Sequence, residues 1–198
     1  MKNNPSAIHK IHRLLLDGAA VSTDTRAIKQ GSVFFALKGE NFDANNFAAG
    51  AIEKGASLAV VDNKELPSND KFLIVDDVLQ TLQEVAVFHR ELFKFPVIGI
   101  TGSNGKTTTK ELLYAVLSQR YNTLCTAGNL NNHIGVPLTL LNLNKKHQVA
   151  IIEMGANHVG EIAMLSNLAK PTSGLITNIG KAHIEGFGSV ENIIKGKT

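Results

Sequence analysis

The sequence has few cysteines and no long apolar run, and both absences restrict where the protein can work. Cys125 is the one cysteine among 198 residues, so no internal disulfide can form. No apolar run approaches the ~18 residues of a membrane-spanning helix, and the first residues lead into an amphipathic stretch rather than the apolar centre of a signal peptide. These absences exclude a disulfide-stabilised secreted domain, and we expect a cytoplasmic protein.

The chain also has only a small excess of positive over negative charge. Lys and Arg total 20 against 17 Asp and Glu, a net charge of +3, and the basic residues form no block. Such a mild excess suits phosphorylated small molecules better than a nucleic-acid backbone, so no nucleic-acid partner is expected. The hydrophobic share of 43% predicts a folded, soluble protein of one large or two small domains, and we expect a monomer.

The first ninety residues have the pattern of a small mixed α/β domain. Apolar residues at helical spacing predict helices over 8–16, 47–54 and 78–93. Short β-rich runs predict strands over 32–37, 57–61 and 71–75. Asp77 is placed to cap the third helix, with Gln80 reaching back. Because the residue before a proline leaves helical geometry, Phe95-Pro96 marks the boundary between a first domain over 1–94 and a second over 95–198.

Beyond that boundary, strands alternate with helices. Strands are predicted over 97–101, 121–126, 148–154 and 173–179, and helices over 107–119 and 160–169. This alternation implies parallel βαβ crossovers, with ligands bound at the carboxyl ends of the strands. The predicted fold class is therefore α/β: a small mixed N-terminal domain followed by a parallel-sheet domain of P-loop type.

A glycine loop joins the first strand and helix of the second domain, with the sequence Thr101-Gly-Ser-Asn-Gly-Lys-Thr-Thr108. Its glycines and the helix N-terminus favour phosphate oxygens, Lys106 offers a positive charge, and Thr107 can bind Mg²⁺. Ile100 occupies the place of the first glycine in the general motif, so we expect Gly102 to take over part of its role. An ordinary glycine turn is the alternative, but the flanking strand and helix favour phosphate binding. The predicted ATP-binding residues are Thr101, Gly102, Ser103, Asn104, Gly105, Lys106, Thr107 and Thr108.

The glycine loop resembles the ATP loop of the Mur ligase family. Three further stretches, over 128–141, 153–162 and 178–189, resemble the subgroup of that family that adds D-alanyl-D-alanine. Two stretches of the first domain, over 24–26 and 34–43, are shared with the ligases that add diaminopimelate or lysine. The resemblance covers almost the whole chain. It implies an ATP-dependent amide-bond ligase of peptidoglycan synthesis, which joins D-alanyl-D-alanine to UDP-N-acetylmuramoyl-tripeptide through an acyl phosphate.

Two magnesium ions are expected at the ATP site. Glu153 ends an apolar strand, where its carboxylate can bind Mg²⁺, although a solvated glutamate is the alternative. The resemblance implies that His183 binds a second ion and that Lys197, carbamylated by CO₂, helps to hold it. Judged by the residues alone, both would be ordinary solvated side chains. The predicted catalytic residues are Lys106, His183 and Lys197, and the predicted metal ligands are Thr107, Glu153, His183 and Lys197.

The resemblance also implies a pocket for the UDP part of the substrate in the first domain. Alone, its residues look like ordinary turn chemistry. The family commonly has Gly-His where this chain has Ala44-Asn45, so no ligand contact is assigned to Asn45. The residues that the resemblance places on the UDP substrate are Thr23, Thr25, Arg26, Glu40, Asn41, Phe42 and Asn132.

Other functions stay open at this point. The resemblance implies a third, C-terminal domain with the acceptor site, which we do not expect in these residues, so the second domain is expected to be incomplete and the chain inactive alone. Lys197 lies one residue from the end, where helices fray, so its site is expected to be disordered or unmodified. A Mur ligase that adds diaminopimelate or lysine, or a module that only binds nucleotides, is the alternative. A P-loop GTPase is disfavoured because His147 replaces the aspartate that would bind guanine.

Overall fold

The computed structural model describes residues 5–180 and 184–197. The chain divides into two compact units, Met1–Val85 and Ala86–Thr198. Within the described residues, no helix has the length and apolar composition that a bilayer crossing requires.

The division between the two units falls inside a helix, whereas Phe95-Pro96 stays the predicted domain boundary. That helix, α3, spans Val78–Glu91, and the division falls after Val85. Helical periodicity continues through this point, so the sequence contains no break that would mark it. The predicted cap is confirmed, since the Asp77 carboxylate accepts a hydrogen bond from the Gln80 backbone N–H at 2.7 Å.

The first unit is a small mixed α/β structure, as predicted. Its elements before α3 are α1 (Pro5–Leu16), β1 (Val21–Ser22), β2 (Val33–Phe35), β3 (Lys38–Gly39), β4 (Phe42–Asp43), a 3₁₀ helix (Ala44–Phe47), α2 (Ala48–Glu53), β5 (Leu58–Val61) and β6 (Phe72–Ile74). The parallel strands form a sheet in the order β1-β2-β5-β6, and β3 pairs with β4 as an antiparallel hairpin.

Small residues allow close packing in the core of this unit. β2 and β5 are buried along their whole length, as expected for strands of a parallel sheet with uninterrupted apolar sequences. Ala48 and Ala51 of α2 are fully buried in the same core as Phe34 and Val61. The hairpin β3–β4 was not predicted, because its two-residue strands lack an alternating apolar pattern.

The second unit contains the predicted alternation of strands and helices. Its elements after α3 are β7 (Val97–Thr101), α4 (Lys106–Leu117), β8 (Thr123–Cys125), α5 (Gly135–Leu140), β9 (Val149–Glu153), α6 (Glu161–Ala169), β10 (Ser173–Ile176), α7 (Ile184–Phe187) and α8 (Val190–Lys197). The sheet order is β10-β7-β9-β8 and every pair is parallel, which confirms the predicted crossovers. The carboxyl ends of β7, β8 and β9 therefore meet at one edge.

Helix α7 of this unit was not predicted, and neither was α5. Helix α5 is six residues long and contains Gly135 and Pro137, both of which disfavour helix in a sequence pattern. Pro137 lies in the first turn, where a missing N–H is tolerated. The Asn132 side chain accepts hydrogen bonds from the backbone N–H groups of Ile134 and Gly135, at 3.1 and 2.8 Å, and so stabilises the start of the helix.

Candidate functional site

The glycine loop connects β7 to α4, and two of its glycines have left-handed backbone angles. Gly102 and Gly105 have positive φ angles of 141° and 77°. A Cβ atom at Gly102 would lie 2.0 Å from Thr177 Oγ1, so this position accepts only glycine. Gly102 thus provides the turn expected of the missing first glycine, and its close neighbour is the chain that follows β10.

The segment after β10 holds the loop in place. Asn178 accepts hydrogen bonds from the backbone N–H groups of Ser103 and Asn104, through its carbonyl at 2.9 Å and its side chain at 3.1 Å. Thr177 Oγ1 donates to the Asn104 carbonyl at 2.6 Å. Two N–H groups predicted to bind phosphate are therefore engaged within the protein.

The start of α4 is the part of the loop that remains open to an anion. Gly105 occupies the N-cap position and supplies no capping side chain, so the first-turn N–H groups of residues 106–108 lack the usual side-chain partner. Lys106 Nζ folds back over the loop and donates to the carbonyls of Gly102 and Ser103 at 2.8 and 3.2 Å. Helix N-terminus and lysine together form the cationic end of the site.

Glu153 lies beside this helix start, at the end of β9. Its side chain is 1% exposed, which rules out the solvated alternative. Oε1 accepts hydrogen bonds from Thr107 Oγ1 at 3.2 Å and Asn131 Nδ2 at 2.8 Å. Oε2 is buried, and none of the described residues forms a hydrogen bond with it. A buried carboxylate oxygen without a donor, next to a threonine hydroxyl, is the arrangement that a hard cation such as Mg²⁺ would complete.

Two residues that support Glu153 were missed by the sequence analysis. Lys110 is fully buried, with Nζ 2.8 Å from the Thr126 carbonyl and 3.9 Å from Glu153 Oε2. It lies one helical turn after Lys106, and this spacing was the available signal. Asn131 belongs to the same stretch as Asn132, but it is Asn131 that contacts Glu153.

A cavity of about 330 Å³ adjoins these groups. It brings together Lys106 and the predicted Asn132, with His133 and Asn157 of neighbouring loops, while Asn131 and Glu161 complete its polar wall. Glu161 accepts hydrogen bonds from the backbone N–H groups of Asn157 at 2.6 Å and of His158 at 3.0 Å, which hold its pKa below the usual range against the opposing effect of burial. The cavity therefore has a cationic and an anionic side.

Lys197 is buried in α8, whereas the sequence analysis expected its site to be disordered or unmodified. It is 3% exposed, and its Nζ has no hydrogen-bond partner among the described residues and lies 5.3 Å from the centre of the Phe187 ring. Burial, and secondarily the charge of Lys106, lower the pKa of Lys197, while Glu161 opposes the shift.

His183, the other predicted ligand of the second ion, lies outside the described residues. Among those residues, no three His, Cys, Asp or Glu side chains form a metal-binding group.

The first unit has a separate cavity of about 310 Å³. It brings together four of the predicted substrate residues, Thr23, Thr25, Arg26 and Phe42, whereas Glu40 and Asn41 are exposed in the turn between β3 and β4 and do not line it. Phe47, which the sequence analysis missed, stacks on Phe42 with ring centres 5.5 Å apart and an angle of 16°.

Arg26 is paired within this first-unit cavity. Its guanidinium donates three hydrogen bonds to Asp24, at 2.7 to 3.0 Å, and together with the Arg26 backbone N–H this lowers the pKa of Asp24 to about 2. Such an exposed pair contributes little to stability, so the guanidinium can exchange Asp24 for another anion.

Similar proteins combine the same two units. Residues 18–101 match the catalytic domain of the Mur ligase family, and residues 100–198 match the Mur ligase middle domain. The chain is 48% identical over 178 residues to the UDP-N-acetylmuramoyl-tripeptide–D-alanyl-D-alanine ligase of Escherichia coli, a match that covers 90% of this chain and 39% of that protein.

Two crystal structures give the same result. MurF from Acinetobacter baumannii is 39% identical with a TM-score of 0.85, over 95% of this chain and 44% of that one. MurF ligase from Thermotoga maritima, in complex with ADP, is 36% identical with a TM-score of 0.84, over 93% of this chain and 42% of that one. The chain thus spans 39 to 44% of the length of these three relatives. With the middle-domain match covering both the glycine loop and Glu153, the chain belongs to the Mur ligase family.

Proposed function

We propose that this chain forms the UDP-substrate pocket and the ATP site of a ligase that joins D-alanyl-D-alanine to UDP-N-acetylmuramoyl-tripeptide. The observation that carries the proposal is Glu153, a buried carboxylate whose Oε1 accepts a hydrogen bond from Thr107 Oγ1 at 3.2 Å and whose Oε2 has no hydrogen-bond partner among the described residues. The functions of the relatives support the choice of substrates. The cytoplasmic location and the monomeric state stay predictions.

ATP would activate the substrate carboxylate. An amide does not form readily from a carboxylate and an amine, so the γ-phosphate is transferred to the carboxylate and ADP leaves; the amine then attacks the acyl phosphate and releases phosphate. Phosphoryl transfer depends on positioning and charge neutralisation. Lys106 and the open N–H groups at the start of α4 are placed to bind the phosphates. All residues of the predicted ATP loop, 101–108, keep a role in this proposal. Ser103 and Asn104 would support the shape of the loop, because their backbone N–H groups are hydrogen-bonded to Asn178.

Magnesium fits the remaining groups of the ATP site. Thr107 and Glu153 would hold one ion, because the partnerless Oε2 and the hydroxyl are both hard oxygen ligands. When bound, the ions neutralise the phosphates and the reacting carboxylate. Lys197 fits the expected carbamate, since a buried amine with a lowered pKa is more readily neutral, and the neutral amine adds to CO₂ with loss of a proton. The role of His183 in holding the second ion rests on the resemblance.

The first unit would bind the UDP part of the other substrate. Phe42, stacked on Phe47, offers an aromatic face, and the Arg26 guanidinium is available for the diphosphate. Thr23 and Thr25 add hydroxyl groups to the same cavity. Glu40 and Asn41 remain proposed contacts from the exposed hairpin turn, and Asn132 would combine a substrate contact with its role in capping α5. The proposed domain limits, 1–94 and 95–198, assign all of α3 to the substrate-binding domain.

A thermal-shift screen tests the proposal. ATP with Mg²⁺ should raise the melting temperature, and GTP with Mg²⁺ should raise it less, because a ligand that binds only the folded state stabilises it. UDP-N-acetylmuramoyl-tripeptide should also raise the melting temperature, by more than UDP alone. A protein stabilised equally by GTP, or unaffected by the UDP-linked peptide, would contradict the proposed function.

A further inference from the structure

Asn45 has no ligand role in the sequence analysis, yet its side chain takes part in four hydrogen bonds within the first unit. It is 1% exposed and sits at the start of the 3₁₀ helix. Its Nδ2 donates to Asp43 Oδ1 at 2.7 Å and to Asp62 Oδ1 at 2.8 Å. Its Oδ1 accepts from the backbone N–H groups of Asp62 and Asn63, at 3.1 and 3.3 Å. All the hydrogen-bonding positions of the amide are thus used.

These bonds connect three separate elements. Asp43 belongs to β4 of the hairpin, Asn45 to the 3₁₀ helix, and Asp62 follows the end of β5. Lys38 of β3 closes the cluster with an ion pair to Asp62 at 2.8 Å, and it is the register partner of Asp43 across the hairpin. The amide therefore separates two carboxylates that would otherwise repel each other, and it attaches the hairpin to the carboxyl end of β5 in the core sheet.

The cluster lies between the two aromatic residues of the first-unit cavity. Phe42 immediately precedes Asp43, and Phe47 follows Asn45 by two residues. Both rings are largely exposed, at 56% and 46%, so their own burial does little to fix them. The backbone on either side is held instead through the side chain of Asn45.

We propose that Asn45 is a positioning residue, which fixes the Phe42–Phe47 stack for ligand binding by cross-linking Asp43 and Asp62. The effect on affinity rests on the proposed function of the first-unit cavity. The effect on the hairpin does not, because the hydrogen bonds are present without any ligand. The Nδ2 group of Asn45 donates one hydrogen bond to each carboxylate. A side chain of the same size that lacks these N–H groups cannot hold both carboxylates.

Two variants separate the donors from the volume of the side chain. Asn45→Ala removes both, whereas Asn45→Asp keeps the volume and replaces the donors with a third carboxylate. Asn63→Ala is the matched control, because that side chain accepts only from the Glu65 backbone N–H in the exposed loop. Asp62→Asn changes the carboxylate that accepts a hydrogen bond from Asn45, without creating a cavity. It replaces Asn45→Ala in the test if that variant does not fold.

Hydrogen exchange and ligand affinity are measured on each folded variant. In the free protein, we expect faster amide exchange over residues 38–44 in Asn45→Ala and Asn45→Asp, a smaller increase in Asp62→Asn, and no change in Asn63→Ala. The dissociation constant of UDP-N-acetylmuramoyl-tripeptide should rise about tenfold or more in both Asn45 variants, with that of ADP unchanged within about twofold.

The outcomes distinguish this inference from the proposed function. Unchanged exchange in Asn45→Asp and Asp62→Asn overturns the inference, whether or not a ligand binds. Wild-type affinity in Asn45→Asp with a loss in Asn45→Ala also overturns it, because volume rather than the donors would then matter. A wild-type protein that does not bind the UDP-linked peptide refutes the proposed function, while the exchange data still decide whether Asn45 holds the hairpin.

Discussion

Two charged side chains of the ATP site are almost completely buried. Lys110 is 0% exposed and Glu153 is 1% exposed, with 3.9 Å between Nζ and Oε2. Removing ions from water is unfavourable, so a buried pair is weak support for stability by itself. Each is instead held by groups of the site: Lys110 by the Thr126 carbonyl, and Glu153 by Thr107 and Asn131. The arrangement keeps a carboxylate fixed next to the glycine loop.

Glu153→Gln should preserve the fold but remove most of the magnesium dependence of nucleotide binding. The amide retains the size of the side chain but is a poorer ligand for a hard cation. The measurement is the dissociation constant of ADP with Mg²⁺ and with EDTA, for wild type and variant. Glu65→Gln, which changes an exposed carboxylate of the first unit, is the control and should behave as wild type. An unaltered magnesium effect in Glu153→Gln would remove this residue from the metal site.

Lys110→Met should lower the free energy of unfolding by about 3–5 kcal/mol, because it leaves the buried Glu153 without its cation. The Thr126 carbonyl also loses its donor. Urea denaturation of the variant and of Lys145→Met, an exposed lysine, gives the comparison. Equal stability of the two variants would show that the Lys110 charge is not needed in the folded protein.

At the scale of elements, the glycine loop depends on the chain that follows β10. Thr177 and Asn178 bind the carbonyl and N–H groups of the loop, and the close approach at Gly102 leaves no room for a side chain. The site is therefore assembled from the ends of neighbouring parallel strands, β7, β9 and β10. This explains how a loop without the first glycine of the general motif is still held in place.

Gly102→Ala should disrupt the loop and weaken ADP binding about tenfold or more. The new methyl group would meet Thr177 Oγ1 at 2.0 Å, and a φ of 141° is strained for alanine, by about 1–3 kcal/mol. Gly174→Ala in β10 is the matched control, because nothing lies within 4 Å of its Cβ position. Equal ADP affinity in both variants, measured by calorimetry, would mean that the loop tolerates the shift.

At the scale of the whole molecule, apolar periodicity was enough to predict the two units and most of their elements. The strand predicted over 97–101 coincides with β7. A proline precedes this apolar run and a glycine loop follows it, and these flanking residues favour a strand over a buried helix. The helices α5 and α7 and the β3–β4 hairpin were not predicted, since they depend on tertiary contacts rather than on a local pattern.

The candidate sites were predictable only in part. Lys106 and Glu153 could be proposed from the sequence, because one lies in a glycine loop and the other at the end of a predicted strand. Lys110, Asn131 and Phe47 were missed because a buried lysine, an asparagine in a loop and an exposed phenylalanine have no distinctive spacing in sequence. Their roles come from contacts between residues that are distant along the chain, as for Asn131 and Glu153, which lie 22 positions apart.

The central claim is that the second unit binds the nucleotide and the first unit binds the UDP-linked substrate. The most direct measurement is calorimetric titration of wild type, Lys106→Ala and Phe42→Ala with ADP and Mg²⁺, and separately with UDP-N-acetylmuramoyl-tripeptide. Lys106→Ala should weaken ADP binding about tenfold or more, because a charge-assisted hydrogen bond contributes about 1.5–3 kcal/mol, and should leave the other ligand unaffected. Phe42→Ala should weaken the binding of UDP-N-acetylmuramoyl-tripeptide and leave ADP binding unaffected. If either substitution weakened both ligands equally, or if wild type bound neither, the assignment of the two sites would be wrong.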